Sequence, residues 1–325
     1  MPSSFPLLGI DIGGTKIAVC LADSSGKILG NERIIGGSQT RYEETLPRMV
    51  ELAHKLVADA GLAMADIRAC GVTSPGPVDL AKGVIIRSPN MPWRNVALRD
   101  DLARELKRPV FFDNDANAGM LAEWVFGAAK GAQNALYVTL STGIGGGVVT
   151  EGRILHGVNG NAGEIGHVVL DINGPKCGCG MSGCWEAYCG GLNVMKRMQA
   201  QFGGNPDHPV MRLPEVGGAP EKLGYPALIP AAKAGIPEAV AMWDEICLRT
   251  AQGLGVMIMT YNPEVIVLGT VALHAGDFLL NPVRELLPRF AWSESSRPCR
   301  ITTSALGLHI GELAGPAVAL NGLNL

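Results

Sequence analysis

Three thiols and an imidazole lie close together in this sequence: His167, Cys177, Cys179 and Cys184. Thiolates with a neutral imidazole are the ligand set of a closed, tetrahedral zinc site. Cys177-Gly178-Cys179-Gly180 puts two thiols on a tight turn, and Gly180 and Gly183 let the backbone curl toward Cys184. Glu164 and Gly166 precede the cluster and Glu186 follows it, so the metal would sit among carboxylates and shape a site. Two rival readings are weaker. A disulfide needs an oxidising compartment, yet positions 1–6 are short and polar and 7–10 are too short for the apolar core of a signal peptide. Eight cysteines in 325 residues make no disulfide scaffold, so a reducing cytoplasm is expected. Gly178, Gly180 and Gly183 also satisfy GxGxxG. That pattern needs a preceding strand, and here it follows Asn173-Gly174-Pro175 and alternates with cysteines.

Two glycine turns suit anion binding. Asp11-Ile12-Gly13-Gly14-Thr15-Lys16 lies between two apolar strands; its glycines allow backbone N–H groups to approach a phosphate, with Thr15 and Lys16 adding a hydroxyl and a charge. It is not a GxxxxGK[ST] loop, and Asp11 is placed to face a magnesium ion through water. Ser141-Thr142-Gly143-Ile144-Gly145-Gly146-Gly147 repeats the arrangement further on. Either turn alone reads equally as a hairpin; the pair suggests two grips on a polyphosphate. Asp113-Asn114-Asp115 ends a strand and opens a helix. Either aspartate suits a general base for phosphoryl transfer, a helix cap is the plainer role for Asp115, and local spacing does not choose between them. Glu164, His167 and Glu186 suit the hydroxyls of a sugar or the outer shell of a zinc site.

The elements that hold these groups follow from apolar periodicity. Strands are expected at 7–10, 16–21, 27–35, 67–72, 109–112, 135–140, 148–149 and 265–268. Helices are expected at 42–60, 96–106, 116–126, 185–202, from Pro237 to about 260, at 282–290 and at 310–320. Two α/β halves follow one another, each beginning strand, glycine turn, strand. In each, polar residues collect just past strand ends, where open α/β sheets bind ligands. The Gly- and Pro-rich stretch 203–230 reads as an excursion within a domain.

Composition narrows the partners. The net charge is −3 with no basic run, which argues against nucleic acid. No apolar stretch reaches the length of a membrane span. There is no fixed-period repeat.

Taken together, the motifs resemble the ROK family of sugar kinases and repressors. They are Asp11-Ile-Gly-Gly-Thr-Lys16, Ser74-Pro-Gly-Pro77, Asn114-Asp-Ala-Asn117, Thr142-Gly-Ile-Gly-Gly146, Ala162-Gly-Glu-Ile-Gly-His167, Cys177-Gly-Cys-Gly-Met-Ser-Gly-Cys-Trp-Glu186 and Pro263-Glu-Val-Ile-Val-Leu-Gly269. The resemblance implies an α/β, two-domain actin-like/hexokinase (ribonuclease H-like) fold with a zinc-binding loop. It divides into a small domain of 1–117 with the C-terminal helix about 305–325, and a large domain of 118–304. It implies ATP-dependent phosphorylation of a hexose at its 6-hydroxyl, with Asp115 as catalytic base. Asn114, Asp115, Glu164, His167 and Glu186 would hold the sugar, with Asn90 and Gly76 closing the small-domain side. His167, Cys177, Cys179 and Cys184 would bind structural zinc. Asp11, Gly13, Gly14, Thr15, Lys16, Thr142, Gly143, Gly145 and Gly146 would meet ATP and its magnesium, and Gly269 the adenosine.

The segment Asn90-Met91-Pro92-Trp93-Arg94-Asn95 resembles glucokinase-like members, so glucose leads, with N-acetylmannosamine, N-acetylglucosamine and fructose as alternatives. Family repressors carry an N-terminal helix-turn-helix domain, for which the early Asp11 motif leaves no room; a sensor without catalysis would not need Asp115 and both loops. Ser141 and Thr270 stand where the family usually has glycine, which bears on the nucleotide pocket. Family members are often dimers, so a cytoplasmic homodimer is expected.

Overall fold

Strict alternation in the first two strands buries both faces of a sheet. In β1 (Pro6–Ile12) and β2 (Lys16–Asp23), Leu8, Ile10, Ile12, Ile17, Val19 and Leu21 point to one side, and Cys20 and Ala22 to the other. The computed structural model describes residues 4–36, 39–88 and 91–325, so the role expected of Asn90 lies outside the described residues. The chain forms two units, one of Met1–Ala132, Gly147–Gly163 and Ala305–Leu325, the other of Gln133–Gly146 and Glu164–Ser304.

The first unit continues with β3 (Ile28–Ile35), α1 (Tyr42–Asp59) and β4 (Cys70–Ser74). A small antiparallel sheet of β5 (Val78–Asp79), β6 (Val84–Ser88) and β7 (Met91–Val96) follows, then α2 (Leu98–Leu106), β8 (Val110–Asn114) and α3 (Asp115–Val125). The main sheet has the order β3-β2-β1-β4-β8, with β1, β4 and β8 parallel. Met49, Ala53, Leu56 and Val57 of α1 and Leu98, Leu102 and Leu106 of α2 pack on one face. α3 covers the other through Ala118, Leu121 and Ala122.

The second unit supplies β9 (Ala135–Leu140) and the start of β10 (Ile144–Thr150), which runs on into the first unit and pairs there with β11 (Arg153–Ile154). Next come α4 (Trp185–Cys189), α5 (Gly191–Phe202), α6 (Tyr225–Lys233), α7 (Pro237–Tyr261), β12 (Val265–Thr270), α8 (Val271–Ala275), α9 (Asp277–Leu286), α10 (Ser293–Ser296) and β13 (Arg300–Thr303). β12 runs parallel between β9 and β13. Trp185 is fully buried against Gly253 of α7, where an added Cβ would lie 2.5 Å from the indole; this seats the start of α4 on the long helix. Among the described residues, no helix is long and apolar enough to cross a membrane.

Several elements differ from the periodicity reading for local reasons. The helix expected at 185–202 is broken at Gly190, and the break lets the N–H groups of Gly191 and Leu192 bond to the carbonyls of Ser141 and Thr142. The strand expected at 67–72 starts later and runs to Ser74, because Thr73 and Ser74 pair with Asp113 and Asn114 of β8. The excursion 203–230 is built into the unit: Val210, Met211, Val216 and Leu223 are buried, and α6 begins at Tyr225. The small sheet β5–β7 had no periodic signature, its strands being short and interrupted by turns.

The C-terminal helix α11 (Ile310–Gly322) returns to the first unit's sheet at van der Waals contact. A Cβ on Gly71 would lie 1.9 Å from the Gly315 carbonyl oxygen, and one on Gly9 would lie 2.3 Å from the Pro316 ring. Only glycine allows that approach. Gly71→Ala is therefore expected to destabilise the protein by about 2 kcal/mol or more, since a helix or strand must shift. Chemical denaturation measures this; an unchanged midpoint would mean that the contact yields freely.

Candidate active site

In the first unit, strand register lines up three polar side chains at the carboxyl ends of parallel strands. Asp11 of β1 is paired with Thr73 of β4, and Thr73 with Asp113 of β8. The Thr73 hydroxyl donates to Asp11 Oδ1 at 2.6 Å. Burial pushes the Asp11 carboxyl up to about 6; the Thr73 bond opposes this, Asp115 adds to it, and Lys16 pulls it back. The adjacent turn is closed by the Gly13 N–H bonding to the Lys16 carbonyl, and Thr15 and Lys16 stand exposed on it.

The two aspartates of the Asp113-Asn114-Asp115 run have opposite surroundings. Asp113 is buried, and its oxygens are taken. Oδ1 accepts from the Asn114 N–H at 2.8 Å and from Asn117 Nδ2 at 2.9 Å; Oδ2 meets His156 Nε2 at 2.7 Å. Asp115, one residue inside α3, is accessible to solvent. Its carboxyl is still held above the ordinary range, burial being the main cause, with its own N–H and that of Ala116 pulling it back. Asn114 caps the helix: its side-chain oxygen accepts from the Asn117 N–H at 2.7 Å. Gly76 lies exposed just past β4.

In the second unit the four metal-ligand candidates converge, with their donor atoms all within 4.8 Å of one another. Cys179 Sγ and Cys184 Sγ are 3.6 Å apart, and Cys177 Sγ is 3.7 Å from His167 Nδ1. A disulfide needs about 2.05 Å. A tetrahedron with zinc–sulfur bonds of about 2.3 Å has edges of about 3.8 Å, so the spacing fits a zinc ion. The turn depends on glycine: Gly180 and Gly183 have φ of +98° and +72°. A Cβ on Gly183 would lie 1.6 Å from the Asp171 carbonyl oxygen. Arg249 holds the base of the loop, bonding Asp171 at 3.2 Å and lying over the Tyr188 ring. Burial pushes the Cys184 thiol up to about 12 in the absence of a cation, whereas the Met181 N–H draws that of Cys179 down.

Glu186 ties the thiol loop to the glycine loop. Its Oε2 accepts from the Ile144 N–H at 2.8 Å, and its Oε1 is 4.0 Å from Cys177 Sγ. Gly143 permits this, because a Cβ there would lie 2.3 Å from the carboxylate. Gly166 allows the His167 turn to press on the Ile144 carbonyl. Glu164 precedes that turn and is exposed. Gly269 packs on the Tyr137 hydroxyl at the end of β12, and the next residue, Thr270, has φ +52° and ψ −102°, a conformation rare for a β-branched side chain. Its hydroxyl is 2.8 Å from that of Thr139.

Sequence reasoning missed Thr73, Asn117 and His156 as members of the first unit's cluster. Thr73 becomes visible only through strand register. His156 is 43 residues from Asp113 in the chain, with no motif linking the two.

A family model described as the ROK family matches residues 7–319. A protein named glucokinase from Thermotoga maritima is 36% identical over 280 residues, 86% of each chain. The structure of a ROK hexokinase from Thermus thermophilus superposes with a TM-score of 0.84 at 32% identity, covering 98% of this chain and 99% of that one. That of a ROK family glucokinase from Streptomyces griseus in complex with glucose and AMPPNP gives a TM-score of 0.78 at 28% identity, covering 98% and 100%. Proteins named xylose repressor also match; the one from Bacillus subtilis is 28% identical over 97% of this chain and 77% of its own length.

The raised Asp11 carboxyl has a consequence for stability. Its folded value of about 6 lies above its ordinary 3.8, so above about pH 6 the folded protein carries a charge that burial disfavours. As pH falls through about 6 the folded carboxyl takes up a proton and that cost fades. Asp11→Asn is expected to raise the thermal unfolding midpoint at about pH 7.5 and to raise it less at about pH 5. Equal shifts at both would contradict the burial effect.

Proposed function

The chain belongs to the ROK family, and from that premise we propose that it is an ATP-dependent hexose kinase acting on the 6-hydroxyl, with glucose as the leading substrate. The observation that carries this reading is the contrast between the two aspartates: Asp113 is consumed by hydrogen bonds, whereas Asp115 stands exposed, with its carboxyl raised above its ordinary value. Asp115 accepts the hydroxyl proton as the sugar oxygen attacks the γ-phosphorus, and ADP departs with the bridging oxygen. Such a transfer depends mainly on positioning and on neutralising charge.

The remaining assignments extend the same reading. Asn114 offers its side-chain NH₂, since its oxygen caps α3. Gly76, Glu164, His167 through Nε2, and Glu186 hold sugar hydroxyls. Gly14, Thr15, Lys16, Thr142, Gly143, Gly145 and Gly146 offer backbone N–H groups, hydroxyls and one charge to ATP, with Gly13, its own N–H bonded to Lys16, closing the turn, and Gly269 lies by the nucleoside. Asp11, with one oxygen bonded to Thr73, keeps the other for a water of magnesium. Cys177, Cys179, Cys184 and His167 Nδ1 hold zinc, which would fix the loop and the facing of the imidazole. Thr270 in place of glycine narrows the nucleotide pocket. The protein works as a cytoplasmic homodimer, without nucleic acid.

The test is ADP release from magnesium-ATP with glucose, mannose, fructose, N-acetylglucosamine and N-acetylmannosamine. A strong rate with one sugar supports the kinase and identifies its substrate. No rate with any, while calorimetry shows that a sugar binds, would instead favour a sugar sensor or repressor of the same family. The metal makes its own prediction. Cys184→Ser is expected to lower zinc content well below about one ion per chain and to weaken sugar binding by roughly tenfold or more, because His167 and Glu186 lose their support. Full zinc by elemental analysis would overturn the ligand assignment.

A further inference from the structure

Next to the proposed base lies a chain of hydrogen bonds that the reaction itself does not use. His156 Nε2 is 2.7 Å from Asp113 Oδ2. Asp113 Oδ1 in turn takes the N–H of Asn114 at 2.8 Å and the side-chain amide of Asn117 at 2.9 Å. Asn114 then caps α3 by accepting from the Asn117 N–H at 2.7 Å. Asn114, just before Asp115, and Asn117, two residues after it, are therefore both held through one carboxylate, whose other oxygen is held by one imidazole.

Each link is costly to leave unmade. Asp113 is 3% exposed and Asn117 0%, so a lost partner leaves a polar atom without water. The Asp113 bond is also the largest influence on His156, raising its pKa. His156 comes from Gly147–Gly163, a segment remote in sequence from β8 and α3 but part of the same unit. Its side chain is 37% exposed and lines a cavity of about 650 Å³, with Phe112, Asp79, Asn159 and Asn161 among the walls. The imidazole is therefore a clasp reached from solvent on one side and bonded to a buried carboxylate on the other.

We propose that His156 is a positioning residue for the transfer: by clamping Asp113 it sets the first turn of α3 and with it the direction in which Asp115 and Asn114 face the substrate. The inference rests on the kinase reading. His156 touches neither sugar nor nucleotide in this proposal; it acts through Asp113. Loss of the clamp frees Asp113 to rotate, and misplacement of a base by about 1 Å lowers turnover by up to roughly 100-fold.

The experiment compares wild type, His156→Ala, His156→Gln and, as the control for the reading itself, Asp115→Asn, in ADP release with the best sugar. His156→Ala is expected to lower kcat by about 10- to 100-fold with KM for sugar changed by less than about threefold. His156→Gln, whose amide can still donate to Asp113, is expected to recover most of that loss. Because the cavity opens beside the missing ring, added imidazole is expected to restore part of the His156→Ala rate and none of the Asp115→Asn rate. Should the Ala variant fail to fold, His156→Gln against His156→Asn, whose amide is too short to reach Asp113, makes the same comparison. Wild-type kcat in His156→Ala, or a loss that neither Gln nor imidazole relieves, overturns the clamp while leaving the kinase standing. An inert wild type with every sugar, or an Asp115→Asn variant as active as wild type, removes the reading and the clamp together.

Discussion

A carboxylate taken out of water must have its oxygens satisfied, and the first unit is arranged around meeting that constraint at Asp113. The residue is the last but one of β8 and is buried, so its partners have to come from the backbone and side chains of the next turn and from His156. Meeting that demand fixes where α3 begins and leaves Asp115, two positions on, outside the network. Two aspartates separated by one residue thus acquire different surroundings: the oxygens of one are bound from three sides, whereas the other stands exposed with its carboxyl raised.

The second unit applies a comparable logic with softer ligands. Glycines at 180 and 183 curl the chain so that three sulfurs and one imidazole nitrogen stand at the spacing of a zinc tetrahedron. Glu186 then reaches from this loop to the Ile144 N–H of the glycine loop, and the break at Gly190 sends α5 against Ser141 and Thr142. The thiol loop and the glycine loop are therefore one mechanical piece.

Much of this was legible from residue types and spacing. The Cys/His cluster announced itself because few other arrangements need that ligand set, and the two glycine turns stood between clear apolar strands. The long helix α7 and the strand β12 followed from proline at the first turn and a pure apolar run. What stayed hidden depends on distance in the chain. Thr73 joins Asp11 only through parallel strand register, and His156 meets Asp113 only after the fold brings 147–163 back. Asp113 and Asp115 look alike locally because both are carboxylates at a strand–helix junction; only the fold shows that the oxygens of Asp113 are taken by Asn114, Asn117 and His156. The short strands β5–β7 left no period to detect, and the break at Gly190 goes with bonds from Gly191 and Leu192 to Ser141 and Thr142, a loop far off in the chain.

The most direct measurement is the pairing of kcat with sugar affinity for Asp115→Ala, using calorimetry for binding and ADP release for turnover on the sugar that wild type prefers. Asp115 as the base that takes the 6-hydroxyl proton predicts a kcat lower by roughly 100-fold or more with sugar binding largely intact. Near-normal turnover, or loss of binding with turnover preserved at saturating sugar, would contradict it.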